Sequence, residues 1–430
     1  MDIEALYGLY KAHPRVTTDS RQVGDGGLFF ALHGERFDGN DYARAALEGG
    51  CVAAVVDRAS LRDEAGMMYV EDSLQALQAL ARRHRRTWGG RVLGITGSNG
   101  KTTTKELVAA VLGKHFSVLF TQGNLNNSIG VPLTLLRLGA GHDVAVVEMG
   151  ASHIGDIREL VGIAEPDCGL ITNVGRAHLE GFGSEAGVLA EKGVLYDWLR
   201  AKGGYAFVNA GDARLLGRAG GLRTVCYGRG DVEDVCCDPF LRFRWRGHEV
   251  RTQLVGAYNV ENVLAALTVG EDFGVGMDDA LAAVAAYAPS NGRSQLLRTR
   301  RGNVVVMDAY NANASSMVAA VTGFIEGSRG DCDSTVTGNR LCILGDMKEL
   351  GTESAAAHRS IVEMLSSTAS VEVWLVGEAF ASAAKGVSGL RLFANAEEVA
   401  ACLRSEPVSG RMVLVKGSHS MGLYTLSDYL

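Results

Sequence analysis

Residues 92–105, V-L-G-I-T-G-S-N-G-K-T-T-T-K, limit the folds open to this chain more than any other stretch. Val92, Leu93 and Ile95 form a short apolar run that ends at Gly97, Ser98, Asn99 and Gly100. Lys101 and Thr102 then open a segment in which Leu107, Val108, Val111 and Leu112 recur at helical spacing. Strand, glycine turn and helix N-terminus in that order make a phosphate-binding device. The turn exposes backbone N–H groups, the helix end adds partial positive charge, and Lys101 adds a full one. Thr102 is placed to set a hydroxyl on a magnesium ion bridging two phosphates. The pattern is a shortened phosphate loop, because Ile95 stands where the long form has its first glycine. The plainer alternative, a glycine turn beside a surface lysine, leaves the flanking strand and helix unexplained.

A chain of 430 residues has room for two to four domains with separate cores. Its 55 glycines and only 6 prolines fit many turns between uninterrupted helices, as α/β layering requires. A net charge of −7 points away from nucleic acid or an anionic membrane as the main partner. The basic runs at 82–86 and 298–301 read as solvated helix or strand-end charge. Eight cysteines with no C-x-x-C pair argue against a zinc site or disulfide framework and for a reducing compartment. The acidic opening Met-Asp-Ile-Glu lacks a signal-peptide pattern, and no apolar run reaches the length of a membrane span. A cytoplasmic protein without membrane insertion is the expectation.

Periodicity and turn signals divide the chain into three α/β units, 1–88, 89–292 and 293–430. In the first, strands are expected over 28–32 and 52–56 and helices over 41–47 and 73–87. Its T-D-S-R and G-E-R-F-D-G-N segments are loops of the kind that hold ligands, though composition alone favours ordinary turn chemistry. In the second, strands over 116–120, 143–147, 168–173, 206–209 and 223–227 accompany the one before the phosphate loop. A helix starts at Glu185, an antiparallel portion spans 240–254, and alanine-rich helices cover 260–269 and 278–287. Asn124, Asn126 and Asn127 crowd the loop after 116–120. Glu148 follows strand 143–147, where a carboxylate beside a phosphate loop is the usual second anchor for magnesium. His178, past strand 168–173, falls on the same sheet edge. Residues 288–293, A-P-S-N-G-R, read as a hinge. Beyond it strands are expected over 304–307, 341–344, 371–376, 391–393 and 412–415. Polar groups follow three of them, at 308–313, 345–347 and 416–419, and 326–339 reads as a glycine- and serine-bearing loop. The fold class is α/β in three domains: a small N-terminal one, a central parallel sheet of the P-loop ATPase type with an antiparallel portion, and a Rossmann-like C-terminal one.

Nine stretches in order resemble the ATP-dependent Mur ligases of peptidoglycan synthesis. They are T-G-S-N-G-K-T-T-T-K, G-N-L-N-N-S-I-G-V-P-L-T-L-L, V-V-E-M-G-A-S-H-I-G-D-I, A-H-L-E-G-F-G-S, E-K-G, G-A-Y-N-V-E-N, D-A-Y-N-A-N, L-G-D-M-K-E-L-G and V-K-G-S-H-S-M-G-L. Within the family, A-H-L-E-G-F-G-S, V-K-G-S-H and L-F-F-A-L-H-G-E-R-F-D-G-N-D-Y are most similar to the member that joins D-Ala-D-Ala to UDP-N-acetylmuramoyl-tripeptide. The resemblance implies that Gly97, Ser98, Asn99, Gly100, Lys101, Thr102 and Thr103 cradle the ATP phosphates. Asn259 approaches the adenine, and Arg293, Asp308, Tyr310 and Asn311 close the nucleotide site from the third unit. It implies two Mg2+ ions, one on Thr102 and Glu148 and the other on His178 and on Lys192 carrying a carbamate. Lys101, His178 and Lys192 are then the catalytic group. The first unit binds the uridine nucleotide, with Ser20, Arg21, Gly34 and Asn40 as candidates alongside Asn124, Asn126 and Asn127. A monomer with small-molecule substrates only is implied. Two departures stand out: Ala314 and Ser315 follow D-A-Y-N-A-N where the family usually has proline and an acidic residue. Val194 also stands where a glutamate usually follows the modified lysine.

The chemistry fits the residues on its own terms. A carboxylate is a poor electrophile, so forming an amide from it requires activation, and transfer of the ATP γ-phosphoryl group gives an acyl phosphate that an amine can attack. That asks for positioning and positive charge, not for a covalent protein nucleophile. A neighbouring ligase, adding another amino acid or adding glutamate to a folate, would share the ATP site and differ in the acceptor pocket. The D-N-P-R stretch usual in the diamino-acid-adding relative is absent from this sequence. A nucleotide switch without ligase activity would hydrolyse ATP without needing either substrate.

Overall fold

Apolar runs that end in polar turns build four sheets in the computed structural model, which describes residues 2–24, 26–176, 178–237, 239–326, 340–366, 368 and 371–430. The loop expected over 326–339 lies outside them apart from its first residue. The first unit is a parallel sheet of β1 (Val16–Thr17), β2 (Leu28–Phe30), β3 (Ala53–Val56) and β4 (Met67–Tyr69), in that order. The helix Ser73–Trp88 leads out of it, with Asp72 accepting from Gln75 N at one end and Gly89 in the left-handed conformation at the other. This helix also fastens the first unit to the second. Buried Arg85 donates to the carbonyls of Ala164 and Glu165 and to the Asp167 carboxylate. Nearby, Tyr10 Oη donates to Leu136 O at 2.6 Å.

The central sheet holds β5 (Arg91–Thr96), β6 (Val118–Phe120), β7 (Val144–Glu148), β8 (Cys168–Ile171), β9 (Tyr205–Asn209) and β10 (Arg223–Tyr227). Its order is β10-β9-β8-β5-β7-β6, and every pairing is parallel. The chain leaves β5 toward one edge and later returns on its other side, so the strand order reverses at β5. Ligands of open α/β sheets sit at the carboxyl ends of strands at such a switch point. Register brings Glu148 beside Ile95 and Ile171 beside Thr96, so the residues after β5, β7 and β8 meet at one edge. One face of the sheet is covered by a meander of β11 (Val232–Cys237), β12 (Leu241–Trp245) and β13 (His248–Arg251) together with the helix Val260–Asp272. In β12 Leu241, Phe243 and Trp245 are buried and Arg242 and Arg244 exposed, the period-2 pattern of a half-buried strand.

The third unit contains β14 (Gln295–Arg298), β15 (Val304–Asp308), β16 (Arg340–Gly345), β17 (Val371–Val376), β18 (Leu390–Phe393) and β19 (Met412–Lys416). Their order is β14-β15-β19-β16-β17-β18, and only β14 runs antiparallel to its neighbour. Asp308 and Lys416 are register partners at the ends of β15 and β19. The first two units share one hydrophobic core, running from Leu6 and Leu80 to Leu135, Leu160 and Leu195. The third has its own cores on the two faces of its sheet.

Candidate active site

The phosphate loop is held by backbone demands that only glycine meets at two positions. Gly97 has φ +147°, and a Cβ there would lie 1.9 Å from Thr172 Oγ1. Gly100 has φ +77°, and a Cβ would lie 2.5 Å from Asn262 Oδ1. Strand β8 stops at Ile171, short of the expected 173, because the next two residues turn to grip this loop. Thr172 Oγ1 donates to Asn99 O at 2.6 Å and Asn173 Nδ2 to the same carbonyl at 3.0 Å, while Asn173 Oδ1 accepts from Asn99 N.

Lys101 starts the helix Lys101–Leu112, and its Nζ lies 2.7 Å from Gly97 O within the loop. Burial lowers its pKa to about 8; Glu148 opposes that shift and Arg293 adds to it. Thr102 and Glu148 are both buried, and Thr102 Oγ1 and Glu148 Oε2 have no hydrogen-bond partner among the described residues. The other carboxylate oxygen of Glu148 accepts from Asn126 Nδ2 at 2.7 Å. Sequence reasoning passed over Lys105, one helical turn on. It is fully buried, with Nζ 3.9 Å from Glu148 and 3.6 Å from Glu106. Its own pKa is pushed down by burial against the pull of those carboxylates.

A cleft of about 850 Å³ opens between the second and third units over this loop. Ser98, Asn99, Gly100, Lys101 and Thr103 line its floor, while Gly97 and Thr102 lie behind them. Asn124, Asn126, Asn127, Glu148 and His178 line it from the β6, β7 and β8 loops, and Asn259 from the turn before Val260–Asp272. Asn127 also has a local task, accepting from Gly130 N at the start of the helix Gly130–Leu135. The third unit contributes Arg293, Asp308, Tyr310 and Asn311. The Arg293 guanidinium stacks 3.9 Å from the Tyr310 ring centroid. Asp308 accepts from Lys416 Nζ at 2.6 Å and from Ser294 N at 3.1 Å. Lys416, Asn313, Ser315 and Glu349 also line the cleft and were not picked out as site residues in the sequence. Strand-end position was the available signal for Lys416 and Asn313; Ser315 stood out only as a departure from the family pattern, and Glu349 only as part of the L-G-D-M-K-E-L-G stretch.

His178 has φ +52°, and its Nδ1 lies 2.7 Å from Glu349 of the third unit. Lys192, on the helix Glu185–Lys202, is fully buried beneath this region and does not line the cleft. Its Nζ has no hydrogen-bond partner among the described residues and stands 5.6 Å from the Phe182 ring, which His178 meets edge-on. Burial, with Lys101 adding to it, brings its pKa down to about 7. Among the described residues no group of three or more His, Cys, Asp or Glu is assembled for a metal ion.

The first-unit candidates are not brought to this cleft. Ser20 and Arg21 lie on a short 3-10 turn where Arg21 pairs with Asp19 at 2.9 Å. Gly34 packs under the Phe37 ring. Buried Asn40 spends its amide within the unit, donating to Asp38 and Asp57 and accepting from the backbone of Asp57 and Arg58.

Residues 14–85, 95–270 and 292–419 match, respectively, the families described as "Mur ligase family, catalytic domain", "Mur ligase middle domain" and "Mur ligase, glutamate ligase domain". A Bacillus subtilis protein named UDP-N-acetylmuramoyl-tripeptide–D-alanyl-D-alanine ligase is 33% identical over 95% of this chain and 91% of its own length. The chain belongs to the Mur ligase family. An Escherichia coli protein of the same name is 36% identical over 84% of the chain and 81% of its own length. Among solved structures, MurF from Acinetobacter baumannii superposes with TM-score 0.85 at 29% identity, covering 98% of this chain and 97% of that one. MurF ligase from Thermotoga maritima in complex with ADP gives 0.84 at 27% identity, covering 100% and 98%. This Mur ligase accommodates its two departures differently. Val194 packs partly buried against the shared core, whereas the Ser315 hydroxyl meets Asn99 of the phosphate loop. No helix among the described residues is long and apolar enough to cross a membrane.

Proposed function

We propose that this Mur ligase joins D-alanyl-D-alanine to UDP-N-acetylmuramoyl-tripeptide at the expense of ATP, releasing ADP and phosphate. The observation that carries the reading is the convergence, in one cleft, of a phosphate loop, a buried carboxylate with one oxygen that accepts no hydrogen bond among the described residues, and an arginine and aspartate from the third unit. The relatives' names supply the substrate pair.

The tripeptide carboxylate takes the γ-phosphoryl group, the dipeptide amine attacks the resulting acyl phosphate, and phosphate leaves. Lys101, the loop N–H groups and the N-terminus of Lys101–Leu112 hold the negative charge that spreads over the transferring group. Arg293 adds positive charge from the opposite wall, and Asp308, held by Lys416, offers an acceptor to a nucleotide hydroxyl. Closure of the third unit keeps water from the acyl phosphate.

Thr102 Oγ1 and Glu148 Oε2, oxygens buried without a hydrogen bond among the described residues, fit one Mg2+ ion, which when bound would neutralise phosphate charge. His178 and Lys192 fit a second, provided Lys192 is a carbamate. An ammonium has no lone pair to offer, and carbon dioxide adds to the neutral amine, the form that burial favours here. Ser20, Arg21, Gly34 and Asn40 remain the candidates for the uridine nucleotide, with Asn124, Asn126 and Asn127 toward the reacting end. The domain limits 1–88, 89–292 and 293–430, a monomeric state and a cytoplasmic location belong to the same proposal. Incubation with ATP, magnesium, the UDP-tripeptide and D-Ala-D-Ala should give the joined product by mass, together with ADP and phosphate. Recovery of AMP and pyrophosphate would overturn the acyl-phosphate route.

A further inference from the structure

The third unit touches the phosphate loop through a closed ring of three side chains. Asn99 Nδ2 donates to Ser315 Oγ at 2.8 Å, Ser315 Oγ donates to Asn313 Oδ1 at 3.0 Å, and Asn313 Nδ2 donates back to Asn99 Oδ1 at 2.8 Å. Each half of the ring is held in place independently. Asn99 has its backbone N–H and C=O committed to Thr172 and Asn173 at the end of β8. Asn313 Oδ1 also accepts from Ser316 N at 2.9 Å, and its N–H donates to Ser316 Oγ, which fixes it at the start of the helix Ala314–Glu326. Ser315 is seated where Gly175 has no side chain. A Cβ on Gly175 would lie 3.1 Å from Ser315 Oγ and 3.7 Å from Asn99 Nδ2. The φ of Gly175 is outside the left-handed region, so backbone conformation does not call for glycine there, and the seat does.

We propose that Asn313 and Ser315 are positioning residues that latch the closed third unit onto the phosphate loop, so that the cleft stays shut over the loop during phosphoryl transfer. Asn99 lies between Ser98, whose carbonyl is 3.3 Å from Lys101 Nζ, and Gly100, which starts the helix. The latch is therefore anchored on the stretch of backbone that faces the phosphates, which Thr172 and Asn173 hold in place. The ring uses neutral groups only, and such bonds are individually weak and mutually reinforcing when closed, which suits a contact broken and remade in each cycle. An acidic residue at 315 could accept from Asn99 but, when ionised, could not donate to Asn313; a hydroxyl does both.

The latch rests on the ligase reading for the reaction it serves, but its mechanical part can be tested with nucleotide alone. Gly175→Ala puts a methyl group into the Ser315 seat and removes no hydrogen bond. We expect kcat to fall about tenfold, equivalent to one or two neutral hydrogen bonds. Affinity for Mg·ADP by calorimetry should change by less than about threefold, since the loop's own contacts are kept. Small-angle scattering with Mg2+ and a non-hydrolysable ATP analogue should show compaction in the wild type and less in the variant. Ser315→Ala should behave alike, and in a Ser315→Gly background Gly175→Ala should cost nothing further, because the atom it meets is gone. Wild-type kcat and compaction in both Gly175→Ala and Ser315→Ala would overturn the latch. So would a Gly175→Ala loss of equal size in both backgrounds. A wild-type protein that compacts on nucleotide, loses that compaction in the variants and makes no joined product would overturn the ligase reading and leave the latch in place.

Discussion

Thr102 and Glu148 each bury an oxygen that accepts no hydrogen bond among the described residues, although Lys105 Nζ stands 3.9 Å from the Glu148 one. Buried polar atoms are normally paired, so an orphan of this kind costs stability unless a ligand meets it. Thr102→Val keeps the shape and removes the orphan hydroxyl. Its melting temperature should hold or rise, while kcat falls by about two orders of magnitude, the scale of losing one electrostatic contact to the transferring group. A denaturation curve and a steady-state assay on the same preparation decide it, and loss of both would make Thr102 a packing residue. Lys192→Ala should likewise abolish most turnover while Mg·ADP still binds, with partial rescue by a short-chain carboxylic acid. Near-normal turnover in that variant would refute the carbamate. Lys101, Thr102 and Glu148 were legible because a glycine turn after an apolar run and a carboxylate at the next strand end are local patterns. Ser315 and Glu349 were not, since what they meet, Asn99 and His178, lies across a domain gap that no local pattern encodes.

At the scale of elements, the helix Lys101–Leu112 is tied to the hinge as well as to the phosphates. Its Glu106 accepts from Tyr287 Oη at 2.5 Å and from Asn291 Nδ2 at 3.0 Å, at the two ends of the segment leading to Arg293. Glu106→Ala would take its charged partner from the half-buried Tyr287 hydroxyl. A loss of about 1–3 kcal/mol in chemical denaturation is expected, together with a higher KM for ATP as the hinge loosens. An unchanged KM would confine Glu106 to stability. The hinge itself was legible from A-P-S-N-G-R, but the strand that follows it was not. In β14, Gln295, Leu296 and Leu297 are only half-buried, so an edge strand there lacks both the alternation and the continuous apolar run that mark strands. The two-residue β1 and the half-buried β4 escaped for the same reason, whereas β12 shows clean alternation and was anticipated.

The whole molecule divides into two blocks, because the first and second units share a core while the third keeps its own. Calorimetry should therefore resolve two transitions, and a pH effect can be assigned to one of them. His358 is fully buried in the third unit, where its Nδ1 is 2.7 Å from Ser354 O and its Nε2 accepts from Met347 N at 3.0 Å. That pairing needs the neutral ring, and burial holds the pKa below its ordinary 6.5. As pH falls through about 6.5 the unfolded chain takes up a proton that the folded one still refuses. The unfolded state then binds more protons, so the third-unit transition should move to lower temperature on going from about pH 7.5 to pH 5.5. His84, held low by burial between the first two units, gives the other transition a similar slope of its own. His358→Gln removes the titrating group and keeps an acceptor within reach of Met347 N. It should flatten the pH slope of the third-unit transition and leave the other unchanged. Equal flattening of both would mean that the two blocks unfold as one, and that the shared core of the first two units does not set them apart from the third.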